Sequence, residues 1–175
     1  CDSMKGSYLG CYFSNDEIVN YLKLKNLPFR TLNDEQIFKI TAEMLAQGKV
    51  IGWFNGPMEF GPRSLGGRSI IGDPRNENMQ RIMNLKIKYR ESFRPFAPSV
   101  LEEDVSSQFQ LDEKSPYMLL VAKLKKELCK ELTEEHKKLF GLKKLNIPNS
   151  FLPAITHVDY SARVQTVSFK TNPRY

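Results

Sequence analysis

Apolar and polar positions along this chain follow two periods, and the switch between them marks the elements. Ser14-Asn15-Asp16-Glu17 is a capping box: the serine side chain can bond a free N–H of the first turn, and Glu17 can reach back. Ile18, Val19, Tyr21 and Leu22 then fall at helical spacing, and Leu27-Pro28 ends the helix. A second start signal, Asn33 with Gln36, opens another helix. Its apolar positions are Ile37, Ile40, Met44 and Leu45, and Gly48 is its stop. The run Val50-Ile51-Gly52-Trp53-Phe54 reads as a buried strand.

Beyond it the pattern predicts a short strand over 69–72 and a helix over about 77–86, with Met79, Ile82, Met83 and Leu85 on one face. Pro95 and Pro98 forbid helix and force extended backbone. Residues 99–101 and 117–122 read as strands around an acidic helical turn at 102–108. Residues 124–145 form a lysine-rich insertion, helical or irregular. Strands at 155–158 and 163–167 flank a turn at Asp159-Tyr160-Ser161, and strict alternation would put Arg163 and Gln165 on one face. Short strands interleaved with helices in no strict order predict an α+β fold. At 175 residues this is a single domain, 1–175, long enough to bury a core.

Composition narrows the class. With 41% hydrophobic and 26% charged residues the chain reads as an ordinary folded domain. No apolar run reaches the roughly 18–20 residues of a membrane helix, and the N-terminus lacks a secretory apolar core. Cys1, Cys11 and Cys129 have no CxxC spacing, which predicts reduced thiols in a cytoplasmic protein. His136 and His157 offer no HxxxH or HExxH, so no metal site is expected from this chain alone. A first residue of cysteine is read as a fragment of a longer polypeptide.

The formal net charge of +6 has two sources. Lysines between 123 and 144, mixed with Glu127, Glu131, Glu134 and Glu135, read as a solvated helical face. The rest is arginine set among Gly, Pro and aromatic residues. Asn55 to Ser69 reads NGPMEFGPRSLGGRS: glycines let main-chain N–H groups approach an anion, and Arg63 and Arg68 supply planar forks of donors. An ordinary loop with two solvated arginines is equally consistent with that segment. Phe93, Pro95 and Phe96 should bury the surroundings of Arg94, which then needs a partner, whether an anion or an internal carboxylate such as Glu91 or Glu59. Lys86, Lys88 and Arg90 fit either a basic site or a solvated helix edge. His157 reads as a hydrogen-bonded histidine at a strand end rather than a catalyst.

Four separated motifs then carry a resemblance: GWFNGPMEFGPRSLGGRSIIGDPRN, NLKIKYRESFRPFAPSVLEED, SPYMLL and LPAITHVDYSARVQTV. Together they resemble the C-terminal domain of the O-carbamoyltransferases, the group of nodulation-factor, cephem and aminoglycoside carbamoyltransferases. The resemblance runs from about Tyr8 to the last residue and leaves only 124–148 unmatched. It implies a YrdC-like fold and a domain that binds ATP and carbamoyl phosphate and forms carbamoyl-adenylate. A separate N-terminal, iron-containing, kinase-like domain would pass the carbamoyl group to a hydroxyl, with Mg2+ accompanying the ATP. By motif, Arg63, Arg68, Lys88, Arg94 and Arg163 would line the nucleotide and carbamoyl-phosphate site, with Ser161 in support. Arg63 and Arg94 would hold carbamoyl phosphate, Lys88 would neutralise the transferring phosphorus, and Arg163 would hold nucleotide phosphates. The chain departs from the pattern at Ser64, Gly67 and Tyr160, the last standing where the family commonly has glycine. The resemblance also implies a helix and a strand beyond Tyr175.

Two other readings use the same residues. A basic YrdC-like domain could be an RNA-binding module, although its arginines sit in compact turns rather than on an alternating basic and aromatic platform. A non-catalytic domain that packs on a partner through the insertion is the other, and a homodimer is compatible with either.

Overall fold

In a computed structural model describing residues 3–175, both capping boxes form as the sequence predicts. Ser14 and Glu17 start α1 (Asn15–Leu24), and Asn33 with Gln36 starts α2 (Asp34–Ala46). The apolar run becomes β1 (Ile51–Phe54), but it is not buried as expected: it belongs to a two-stranded sheet, and its alternate residues Gly52 and Phe54 face solvent. It pairs antiparallel with β2 (Arg68–Ile71), Phe54 standing opposite Arg68. Between them lies the Gly/Arg loop.

The next helix is shorter than its apolar spacing suggests. Regular α3 (Met79–Ile82) widens into a π turn at Met83–Ile87. Then come β3 (Ser99–Leu101), α4 (Val105–Gln108), β4 (Val121–Lys123), α5 (Glu134–Lys137), β5 (Ser161–Arg163) and β6 (Gln165–Val167). β3 pairs parallel with β6, and β4 pairs antiparallel with β5. Among the described residues, five α-helices and three two-stranded sheets, one of them parallel, make this an α+β fold.

Four further local expectations need correction. Residues 155–158 are not a strand: the Thr156 hydroxyl donates to the Leu152 carbonyl, and Asn149 Nδ2 donates to the His157 carbonyl. Side chains thus take up groups that a ladder would have used. The 117–122 strand begins only at Val121, because Met118 lies at a φ of 53°. Residues 163–167 are two strands, not one. The Val164 N–H turns to the Leu120 carbonyl and the Gln165 N–H to that of Pro98, so Arg163 faces solvent while Gln165 is buried. Finally, the lysine-rich insertion forms no continuous helical face. It is built of short turns at Lys126–Leu128, Glu134–Lys137 and Gly141–Asn146.

The main core joins Val105, Phe109, Ala122, Leu124, Ile155, Ala162 and Val164. A second cluster packs Met79, Met83 and Ala154 beneath Val50 and Ile70, and Phe96 touches both clusters. Neither α1 nor α2 contains a fully buried residue. Among the described residues no helix is long and apolar enough to cross a membrane.

Candidate functional site: an arginine pair on a closed loop

The Gly/Arg loop is closed by its own glutamate. Buried Glu59 accepts, at Oε1, the main-chain N–H groups of Leu65 (2.7 Å), Gly67 (2.7 Å) and Arg68 (3.0 Å). Burial pushes this carboxyl up, but the N–H donors more than reverse that and hold it below the ordinary glutamate range. The glycines are needed for close approach. A Cβ at Gly66, which lies at a φ of 108°, would collide with the Tyr175 ring, and one at Gly67 would stand 3.0 Å from the Glu59 carboxylate. The loop therefore does hold an anion on its N–H groups, and that anion is internal.

Arg68 serves the same closure. Its guanidinium donates to the carbonyls of Gly67 (2.8 Å), Gly56 (3.0 Å) and Cys11 (3.2 Å), and lies 3.4 Å over the Phe54 ring. Both of its terminal nitrogens donate to protein oxygens, so its geometry is that of a fastener between the N-terminal segment and the loop.

Arg63 is different. It sits within the span that Glu59 and Leu65 close, half-buried, and its Nε is shielded from solvent without a hydrogen-bond partner. The Arg163 guanidinium is held below the ordinary arginine value, first by partial desolvation and then by the positive charge of Arg63. These two cations, 100 positions apart in sequence, are thus near enough for one to repel the other, and among the described residues neither forms an ion pair. Cations that repel one another, neither of them ion-paired, are stabilised when an anion joins them.

The remaining candidates occupy a second basic turn. Lys88 is exposed at the end of the π turn, and its N–H donates to the Met83 carbonyl. Arg94 is not buried: its side chain is 54% exposed, and Nε pairs with Glu91 at 2.8 Å. The expectation of an enclosed Arg94 fails because Phe93 and Pro95 themselves turn to solvent.

Sequence reasoning missed Asn84, which is fully buried and organises that turn. Its Nδ2 donates to the carbonyls of Ser92 (3.0 Å) and Arg94 (2.7 Å), and its Oδ1 accepts from Arg90 Nε (2.6 Å). An asparagine on the apolar side of a short helix, just ahead of a basic run, was the available signal.

Ser161 is buried, and both its hydroxyl (2.7 Å) and N–H (3.1 Å) donate to Asp159 Oδ1. That hydroxyl bond is the largest of the causes holding Asp159 below the ordinary aspartate range. Tyr160, inside this turn, takes a φ of 63°, a conformation that favours glycine. The tyrosine hydroxyl reaches the Lys130 carbonyl at 3.4 Å, which connects the turn to the insertion. His157 is exposed at the start of this turn, its N–H donating to the Ser161 carbonyl.

A cavity of about 590 Å3 lies between α2, β1 and the β3/β6 pair, lined largely by apolar groups including Phe38, Trp53, Leu101 and Tyr175. None of the six candidate residues lines it.

The family described as Carbamoyltransferase C-terminus matches residues 42–175, most of the chain and all of the site. The chain belongs to that family. An uncharacterized protein of Synechocystis sp. is 62% identical over 176 residues, covering 99% of this chain and 29% of that protein. The nodulation protein NolO of Bradyrhizobium diazoefficiens is 46% identical, covering 81% and 23%. A 3'-hydroxymethylcephem-O-carbamoyltransferase of Amycolatopsis lactamdurans is 36% identical, covering 99% and 32%. This carbamoyltransferase C-terminal domain thus spans about a third or less of these relatives, and the rest of their length lies in regions it does not match.

Proposed function

We propose that this domain is the YrdC-like, ATP- and carbamoyl-phosphate-binding part of an O-carbamoyltransferase. It would form carbamoyl-adenylate, which a separate N-terminal, kinase-like, iron-containing region transfers to a hydroxyl acceptor. The single observation that carries the reading is Arg63 on its closed loop: its Nε is shielded from solvent without a hydrogen-bond partner, and among the described residues neither it nor Arg163 forms an ion pair. A di- or triphosphate would supply the missing negative charge, and planar guanidinium forks match its oxygens.

In this reaction water first cleaves carbamoyl phosphate to carbamate and inorganic phosphate. A carbamate oxygen then bonds to the α-phosphorus of ATP while the bond to the β-phosphate oxygen breaks, and pyrophosphate leaves. Both partners are anionic, so their repulsion must be screened before the oxygen can approach, and positioned cations do this without a protein nucleophile. Arg163 and Arg63 would clamp the phosphates. Lys88 and Arg94, on the turn that Asn84 shapes, would meet the carbamoyl phosphate. Mg2+ would accompany the ATP as part of the nucleotide substrate, held largely by its phosphates.

Support for the N-terminal partner region comes from uncovered apolar side chains. Leu9, Tyr12, Phe13, Phe54 and Phe60 are 49–69% exposed, and Phe13 and Phe54 are in ring contact at 6.2 Å.

Calorimetric titration of the intact protein with ATP is the test. A saturable, stoichiometric isotherm whose affinity Arg63→Ala and Arg163→Ala each lower by about tenfold or more, without removing binding, is expected. ATP binding unchanged in both variants would overturn the reading, as would RNA binding that falls steeply with salt and is accompanied by no ATP isotherm.

A further inference from the structure

Glu59 has no place in the chemistry just described, yet it makes more hydrogen bonds to the Gly/Arg loop than any other side chain carboxylate described here. The span it closes begins at Glu59 itself and returns at Leu65, so Arg63 rides on a ring of chain fixed at both ends. The Phe60 N–H, donating to the Ser7 carbonyl, pins the outgoing side of that ring. Leu65 is held on both faces of its peptide, by Glu59 at the N–H and by Tyr8 and Gln165 at the carbonyl. Arg63 has no hydrogen bond of its own to fix its Nε. Its location therefore depends on the ring.

We infer that Glu59 is a positioning residue for phosphate binding: its buried carboxylate closes the loop and so sets where the Arg63 guanidinium stands beside Arg163. The inference rests on the anion-binding reading above. Two physical effects of Glu59 oppose each other, which makes it testable. As a negative charge near a cationic site, it weakens anion binding, so its simple neutralisation should raise affinity. As the fastening of the Arg63 ring, its neutralisation should lower affinity, because a neutral acceptor binds three N–H groups less strongly than a carboxylate.

The experiment titrates inorganic pyrophosphate into the intact protein and into Glu59→Gln, Glu59→Asp, Arg63→Ala and the Glu59→Gln/Arg63→Ala double variant. Amide exchange at Leu65, Gly67 and Arg68 is followed in parallel. For folded Glu59→Gln the expected result is a loss of affinity of about tenfold or more, faster exchange at those amides, and no further loss when it is added to Arg63→Ala. That non-additivity is a readout a merely structural role would not produce. Should Glu59→Gln fail to fold, Glu59→Asp carries the same test, since it keeps the charge and loses only reach. Affinity equal to or above that of the unaltered protein in a folded Glu59 variant would overturn this inference alone. Absence of pyrophosphate binding by the unaltered protein would overturn it together with the anion-binding reading.

Discussion

Gln165 Nε2 donates to the Leu65 carbonyl at 2.8 Å across 100 positions of sequence, and this bond joins the loop of Arg63 to the strands beside Arg163. Gln165 is 2% exposed, and its Oε1 accepts from Ser99 Oγ at 2.8 Å. Both ends of its amide are thus satisfied, as a buried amide must be. Replacing it should disturb the fold and the pairing of the cations together.

Gln165→Leu is expected to cost about 1–3 kcal/mol, because Ser99 loses its acceptor and Leu65 one of its donors. Urea unfolding measures this cost. ATP affinity should fall in the variant that remains folded, and an unchanged affinity would separate Gln165 from the site.

Asn84→Ala should be of similar size, about 2–3 kcal/mol, since the carbonyls of Ser92 and Arg94 and the Arg90 guanidinium all lose a buried partner. Faster proteolysis confined to residues 88–95 is the accompanying sign. A melting temperature equal to that of the unaltered protein would contradict it.

Arg94→Ala should leave stability almost unchanged, within about 1 kcal/mol, because its pair with Glu91 is solvent-exposed on both sides. Carbamoyl-phosphate-dependent release of pyrophosphate by the complete enzyme should nevertheless disappear. Retention of that activity would remove Arg94 from the chemistry.

At position 160 the comparison to make is between two truncations. Tyr160→Gly and Tyr160→Ala both delete the ring, yet only alanine must bear the φ of 63°. The glycine variant should be more stable than the alanine variant by about 1 kcal/mol, the usual size of the left-handed penalty. Equal melting temperatures would show that the turn relaxes.

Acid should destabilise the Asp159–Ser161 turn. A carboxyl whose folded value lies below its unfolded value, about 3.9 for a free aspartate, stabilises above that value, and the stabilisation is lost as pH falls through the folded value. Glu59 has the same sign. Stability measured from pH 5 downward should therefore decline, and Asp159→Asn should flatten part of that decline. A slope unaffected by the substitution would exclude Asp159 as a contributor.

Elements governed by neighbouring residues were legible in the chain itself. The boxes at Ser14–Glu17 and Asn33–Gln36, the strand ending at Phe54 and the stops at Pro28 and Gly48 all follow from side chains acting on backbone within a few positions. Arg63, Arg68 and Arg163 could be singled out because their surroundings in sequence could not be a plain solvated helix. What lay beyond that reach was decided by partners distant along the chain. Residues 163–167 alternate like one strand, but Leu120 and Pro98 capture successive N–H groups and break it. The Gly/Arg loop reads as an open anion cradle, but Glu59 fills it. The loop of Arg63 is tied to the strand that follows Arg163 because Gln165 crosses to Leu65. Short-range propensities are written in local order, whereas the ownership of each hydrogen bond is a competition among all groups that folding brings within about 3 Å.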